Sequence, residues 1–263
     1  VRALLPETIK RVEWIDNPGL RYGGANYVLN FIVANPTAGG SLQTQARPAL
    51  NQAWGFYMAD AKFNTGRSQW EVGGNFKLTN KLKTHRDYFE TFTYPDGSSL
   101  TRNETSRGGS LDNTQSSAWA SYNYIKPDTT VFMAEFSMWQ NIRNKSVYNG
   151  LLSLSDGSDD ILLTDSQGDE GRTPSLSLYL QQSLPRKQTL VVNFSGSFYF
   201  GRSFSDYIEQ LPATSSYLND IHTDIKDRNQ AYAIEADYIK NWTNGRFTAG
   251  ASYTANRNRS EYK

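Results

Sequence analysis

From residue 190 to residue 200 the chain reads Leu-Val-Val-Asn-Phe-Ser-Gly-Ser-Phe-Tyr-Phe. In an extended strand this sets Leu190, Val192, Phe194, Phe198 and Phe200 on one face and Asn193, Ser195 and Ser197 on the other. A period of two fits a strand whose faces meet different solvents. Eight stretches of the chain alternate in this way, and the connections between them run short, long, short, long. Long strands with tight turns at one end and long loops at the other are what an outer-membrane barrel requires.

Hydropathy averaged along the chain hides such a pattern. The mean hydropathy is −0.63, and no run approaches the roughly 18 apolar residues of a membrane helix. That excludes a helical membrane protein but not a barrel, because alternating strands average to a polar reading. Lys and Arg total 27 against 26 Asp and Glu, so no charge imbalance points to nucleic acid or to an acidic partner. The absence of Cys rules out a disulfide framework and Cys-ligated zinc.

The strands are expected at Gly40–Leu50, Trp54–Asn64, Gln69–Thr79 with an extension toward Phe92, Ala118–Ile125, Thr130–Trp139, Leu176–Leu184, Leu190–Phe200, Gln230–Trp242 and Arg246–Asn256, about nine in all. Tight turns are expected at Thr65-Gly66-Arg67, Lys126–Thr129, Leu184–Gln188 and Asn241–Gly245. The polar stretches Ser98–Gln115, Asn149–Gly171 and Gly201–Asn229 read as long loops. Tyr124, Trp139, Tyr238 and Trp242 sit near strand ends, as an aromatic girdle at the headgroups would.

Backbone polar groups in hydrocarbon must be paired, so strands cross a membrane only in a sheet without free edges. Outward Phe, Leu and Tyr then meet lipid, and inward Glu, Asp, Lys and Asn meet a wet lumen. A soluble extracellular β-sandwich, for instance a carbohydrate-binding one, also alternates, with its apolar faces packed against each other. Strands longer than the usual five or six residues and the unequal connections favour the barrel.

The first 34 residues carry a more specific pattern. Arg11-Val12-Glu13 ends a run from Ile9, Asn17-Pro18 forms a turn, Arg21-Tyr22-Gly23-Gly24 follows, and Val28-Leu29-Asn30-Phe31-Ile32 makes a second apolar run. By alternation Arg11, Glu13 and Ile15 share one strand face, and the Gly pair provides a kink where backbone can approach another surface. The plain reading of these residues is a β-hairpin at a sheet edge. In this order they resemble the end of the plug domain of TonB-dependent outer-membrane receptors, whose pattern is an IxRVEV strand, a GP or NP turn, an xYG step and a GVINII strand that enters the barrel. The Ile15-Asp16-Asn17-Pro18 variant looks most like SusC-like and related outer-membrane β-barrel receptors. Tyr27 stands where that family has Gly, and Phe31 where it has Ile.

The resemblance covers about an eighth of the chain by motif and implies the rest by architecture: all-β, with the C-terminal part of a plug at 1–34 and the N-terminal part of an antiparallel transmembrane β-barrel at 35–263. Plugged transporters have about 22 strands. The chain is therefore expected to be an internal part of a longer polypeptide, with a signal peptide and TonB box upstream and about thirteen strands downstream. The implied function is uptake of a scarce ligand, such as a siderophore or an oligosaccharide. The implied partners are TonB, through a segment outside this chain, and outer-membrane lipid, with a surface lipoprotein lid left open. No cofactor and no enzymatic step is implied. An outer-membrane barrel without TonB coupling, an adhesin or assembly component, is the other reading.

Candidate site residues follow from this frame. Arg11 and Arg21 on the plug are candidates for ion pairs with Glu135, Glu235 or Asp237 on barrel strands, since such pairs in a partly dry lumen are strong yet breakable. Tyr94, Tyr148, Tyr207 and Tyr217 are candidates for ligand stacking from loops. The acidic run Asp156–Glu170 lacks EF-hand spacing and reads as a solvated loop. His85 and His222 have no second His at ligand spacing, so no metal site is expected. No nucleophile elbow, zincin or phosphate-loop motif occurs, and Glu235 and Asp237 lack the cleft that a glycosidase pair needs.

Overall fold

The computed structural model describes residues 9–16, 27–33 and 38–263, which form strands and turns and no helix. β1 (Ile9–Asp16) and β2 (Tyr27–Val33) pair antiparallel as a separate two-stranded sheet. The remaining elements are β3 (Ala38–Pro48), β4 (Trp54–Thr65), β5 (Ser68–Thr84), β6 (Tyr88–Thr93), β7 (Ser99–Lys126), β8 (Thr130–Leu154), β9 (Ile161–Leu184), β10 (Gln188–Gln210), β11 (Tyr217–Trp242) and β12 (Gly245–Tyr262). They make one antiparallel meander in the order β12-β11-β10-β9-β8-β7-β5-β4-β3, with β6 beside β7. Because β5 and β6 both pair with β7, they occupy one line of the sheet, which therefore has nine positions across. Among the described residues the ladder does not close on itself: β3 and β12 each pair on one side only.

The four tight turns fall where Gly and Pro mark them, with Gly66 at φ 58°, Asp128 at φ 58°, and Arg186 and Lys187 at φ 61° and 59°. At the other end the structure corrects the sequence reading. Ser98–Gln115, Asn149–Gly171 and Gly201–Asn229 are not long loops but continuations of strands, closed by connections only at 94–98, 155–160 and 211–216. β7, β8, β9, β10 and β11 run for 28, 25, 24, 23 and 26 residues, whereas a tilted strand crosses a bilayer in about 9–11. Polar side chains on both faces do not oppose pairing when both faces are in water. The ladder still satisfies the backbone, so loss of alternation marks a change of solvent rather than the end of a strand.

The sheet is a single layer. The accessible surface of the chain is 17643 Å², against about 11,600 Å² for a globular monomer of this mass. Among the described residues the buried apolar side chains are Tyr148, Leu152, Leu163 and Tyr179, and no large side chain is fully enclosed. Phe63, Trp70, Phe76, Phe136, Leu176, Ile234, Phe247 and Tyr253 are exposed. A soluble sandwich would cover such residues with a second sheet about 10 Å away. The only other sheet among the described residues is the two-stranded β1–β2 pair, too small to cover them.

Candidate functional site

Residues directly opposite each other in an antiparallel ladder project from the same face, so the register sorts every side chain of the sheet. One row runs Phe63-Trp70-Tyr122-Ala134-Leu178-Phe194-Ile234-Tyr253 across eight strands. The next on the same face runs Leu42-Ala61-Val72-Ala120-Phe136-Leu176-Gly196-Tyr232-Ala255. Neither contains a polar or charged group beyond tyrosine hydroxyls and the indole N–H. Their aromatic rings interlock, Trp70 with Tyr122 at 4.2 Å between centroids and Phe198 with Tyr232 at 5.3 Å. On β10 the apolar face extends from Leu190 to Phe200, about 33 Å along the strand and about 25 Å along the axis of a barrel whose strands tilt by about 40°.

The opposite face is polar at the same depth. One row there reads Ser41-Lys62-Glu71-Ser121-Glu135-Ser177-Ser195-Ala233-Thr254. Lys62 Nζ lies 3.0 Å from Glu71 and 4.0 Å from Asp60, and Trp119 Nε1 donates to Asp60 at 2.9 Å. The indole lies flat over Gly73, where a Cβ would come within 2.5 Å of it. Glycine is needed there so that Trp119 can reach Asp60 on the next strand but one. Glu135, Glu235 and Asp237 stand on this polar face with no cation within 4.0 Å among the described residues.

Of the residues whose motif resembles a plug, the structure describes Arg11 and Glu13, which pair with each other at 2.6 Å on β1. No ion pair joins Arg11 to Glu135, Glu235 or Asp237. Pro18, Arg21, Tyr22, Gly23 and Gly24 lie outside the described residues. Beyond the apolar rows, the four tyrosines separate. Tyr94 lies exposed in the short connection after β6, the only one of the four in a loop, and Tyr217 is exposed at the start of β11. Tyr148 and Tyr207 are strand residues already engaged. The Tyr148 ring is buried, its hydroxyl donates to the Arg86 carbonyl at 3.1 Å, and the Arg86 guanidinium lies 4.2 Å above it. The Tyr207 hydroxyl donates to Glu209 at 2.7 Å, and burial together with that carboxylate pushes its pKa up to about 12.

Sequence reasoning missed the polar network that surrounds them. Glu104 is buried, 2.7 Å from Arg86 and 3.6 Å from Arg102. Burial pushes its carboxyl up, but the Arg86 hydrogen bond, Tyr148 and the two arginine charges outweigh it and hold the group below the usual carboxylate range. Nearer the apolar rows, bulges interrupt β5, β7 and β8 at Thr79/Leu82, Thr114/Gln115 and Asn141/Asn144. Asp112 accepts from the Lys81 amide at 2.6 Å and meets Arg143 at 3.0 Å. Asn144 donates to Asp169 at 2.6 Å, and Asn141 donates to the same carboxylate. His222, isolated in sequence, sits between Asp206 at 2.7 Å and Asp220 at 2.8 Å. Among the described residues no group of three or more side chains is arranged to hold a metal ion. The signal that would have found these clusters is hairpin arithmetic: once 99–126 is read as strand, Glu104 must face β6 and the Arg86 that precedes it.

The geometry thus defines a class, a single-layer antiparallel sheet with one apolar and one polar face near its short turns and polar side chains on both faces beyond. Compared with known proteins, the chain matches no family model, no curated protein and no solved structure.

Proposed function

We propose that this sheet is part of the wall of an outer-membrane β-barrel of the TonB-dependent receptor type, with 1–34 contributing the end of a plug and 35–263 the first barrel strands. One observation carries the reading: nine sheet positions present a continuous apolar face that no second protein layer covers, while the other face is charged at the same depth. Lipid is the solvent that such a face fits, because burying no apolar area would leave nothing to offset the conformational entropy of ordering the chain. Closure follows as a requirement, since the open edges of β3 and β12 would leave unpaired backbone groups in hydrocarbon. A cylinder of about 22 strands is wide enough for a plug, and about thirteen further strands would complete it.

In this reading the protein moves a scarce ligand and makes or breaks no bond in it. The unpaired carboxylates Glu135, Glu235 and Asp237 line the lumen, where plug cations such as Arg11 and Arg21 would find them once the Arg11–Glu13 pair exchanges. The strand extensions stand in water outside the cell and carry Tyr94 and Tyr217 free to meet ligand.

Fractionation of cells expressing the full-length protein tests the reading. It should sediment with outer membrane and resist alkaline carbonate, and recovery in the soluble fraction without detergent would end the barrel proposal. Retention of the full-length protein on the immobilised periplasmic domain of TonB is expected, and its absence would leave a barrel without TonB coupling.

A further inference from the structure

Just beyond the apolar rows, on the same face, the ladder sets Arg172 and Arg228 on either side of Phe200, and one step further Glu170 and Lys226 on either side of Arg202. These residues line a groove of about 420 Å³. The Arg172 guanidinium carbon lies 5.5 Å from the centre of the Phe200 ring. On β12, Arg259 stands beside Arg228 and Arg257 beside Gln230. The same face offers Glu170, Asp224 and Glu261 as counter-charges. Asp224 is taken by Arg202, in a fork of bonds from 2.7 to 3.2 Å, and Glu261 by Arg259 at 2.8 Å. Arg172, Lys226, Arg228 and Arg257 have no carboxylate within 4.0 Å among the described residues.

We propose that this groove binds the anionic phosphate headgroup of a lipid in the leaflet that meets the far edge of the apolar face. The inference rests on the membrane reading and adds a partner of defined chemistry to it. Headgroup phosphates lie immediately outside the hydrocarbon, which is where the unpaired cations begin. A guanidinium is a planar fork that matches two phosphate oxygens at once and is more weakly hydrated than an ammonium, so two arginines flanking one ring make a phosphate cradle rather than a generic positive surface. Below the groove Phe198, Leu176 and Tyr232 offer an apolar surface, with Gln230 the polar neighbour of Phe198 on β11. A ligand with acyl chains on those rings and a phosphate on the arginines is favoured at both ends, whereas free phosphate reaches only one. The membrane's own lipid is thus the occupant the site selects.

Native mass spectrometry of the full-length protein, extracted from its membrane into detergent, tests this with dioleoyl phosphatidic acid, dioleoyl phosphatidylcholine and inorganic phosphate as probes. Phosphatidic acid should be retained and the other two lost. The double variant Arg172→Gln/Arg228→Gln should weaken retention about 25-fold, roughly 5-fold for each cation removed. Arg172→Lys/Arg228→Lys, which keeps charge and loses the fork, should fall between, and Lys126→Gln/Arg246→Gln at the opposite edge should leave retention unchanged. Equal retention by the Arg→Gln and unaltered proteins overturns the proposal, as does retention of inorganic phosphate alone. A protein that needs detergent for extraction and yet ignores phosphatidic acid defeats only this inference, whereas one that is soluble without detergent defeats the membrane reading first.

Discussion

β10 is one unbroken strand with two unlike halves. From Leu190 to Phe200 its side chains alternate, with Val191 and Tyr199 the exceptions on the polar face, and those on the apolar face make no side-chain hydrogen bond among those described. From Arg202 to Gln210 both faces are largely polar and the side chains bond across the ladder, Arg202 to Asp224, Asp206 to His222 and Glu209 to Asn219, and along the strand, Tyr207 to Glu209. The backbone ladder is the same in both halves, so it cannot be what distinguishes them. The difference lies in what sets the register. Where one face is apolar, a slip of one residue would drive Ser and Asn into the apolar rows and is forbidden by that cost. Where both faces are wet, that penalty is gone, and specific pairs such as Glu104 with Arg86 and Asp169 with Asn144 hold the pairing instead.

The largest expected effect tests whether the two faces of the lower half differ. Phe194→Arg should destabilise the folded protein in lipid vesicles by about 2–4 kcal/mol, the cost of a midplane cation against acyl chains, while Ser195→Arg, one residue away on the polar face, should cost far less. Urea unfolding in vesicles measures both, and equal losses would mean that the two faces see the same solvent. A smaller effect sharpens the account of the upper half. Glu104→Ala should cost about 1–3 kcal/mol by removing the buried carboxylate that pairs with Arg86 and Arg102. It should appear as faster amide exchange in β6 and the upper part of β7 and β8, with exchange in the apolar rows unchanged.

The smallest effect is a pH dependence confined to the β10–β11 tip. The hydrogen bond to the Asp206 carboxylate and the nearby charge of Asp220 raise the His222 pKa above its ordinary value of 6.5. A group raised on folding contributes stability that is fully present below 6.5 and fades as pH rises through the raised value. NMR titration of the His222 ring should place its midpoint above 6.5 in the folded protein, and Asp206→Asn should move it back down. A midpoint at or below the ordinary value would remove the pairing.

Legibility in the sequence divides along the same line. The nine sheet positions, the four tight turns and the split between Phe194 and Ser195 are written in alternation and in Gly and Pro, because those signals are local. The strand extensions were read as loops because the rule that equates polarity without period with a loop assumes one dry face. Tyr148 and Tyr207 illustrate the consequence: taken as loop aromatics, they are strand residues held by Arg86 and Glu209. The Asp60–Trp119 bond, the Asp112–Arg143 pair and the His222 clamp join residues 59, 31 and 16 positions or so apart, and no periodicity marks them.

What the chain's sequence determined alone is its binary pattern: which residues face apart, where hairpins turn near Gly66 and Pro185, and that one face is apolar between those turns and Phe200. Those are properties of neighbours two residues apart. Only the tertiary structure decided how far the strands run, which carboxylates meet cations, and that Arg172, Lys226, Arg228 and Arg257 meet none among the described residues. Each of those depends on register between strands, and register is fixed by the summed pairing of whole ladders rather than by any local run of residues.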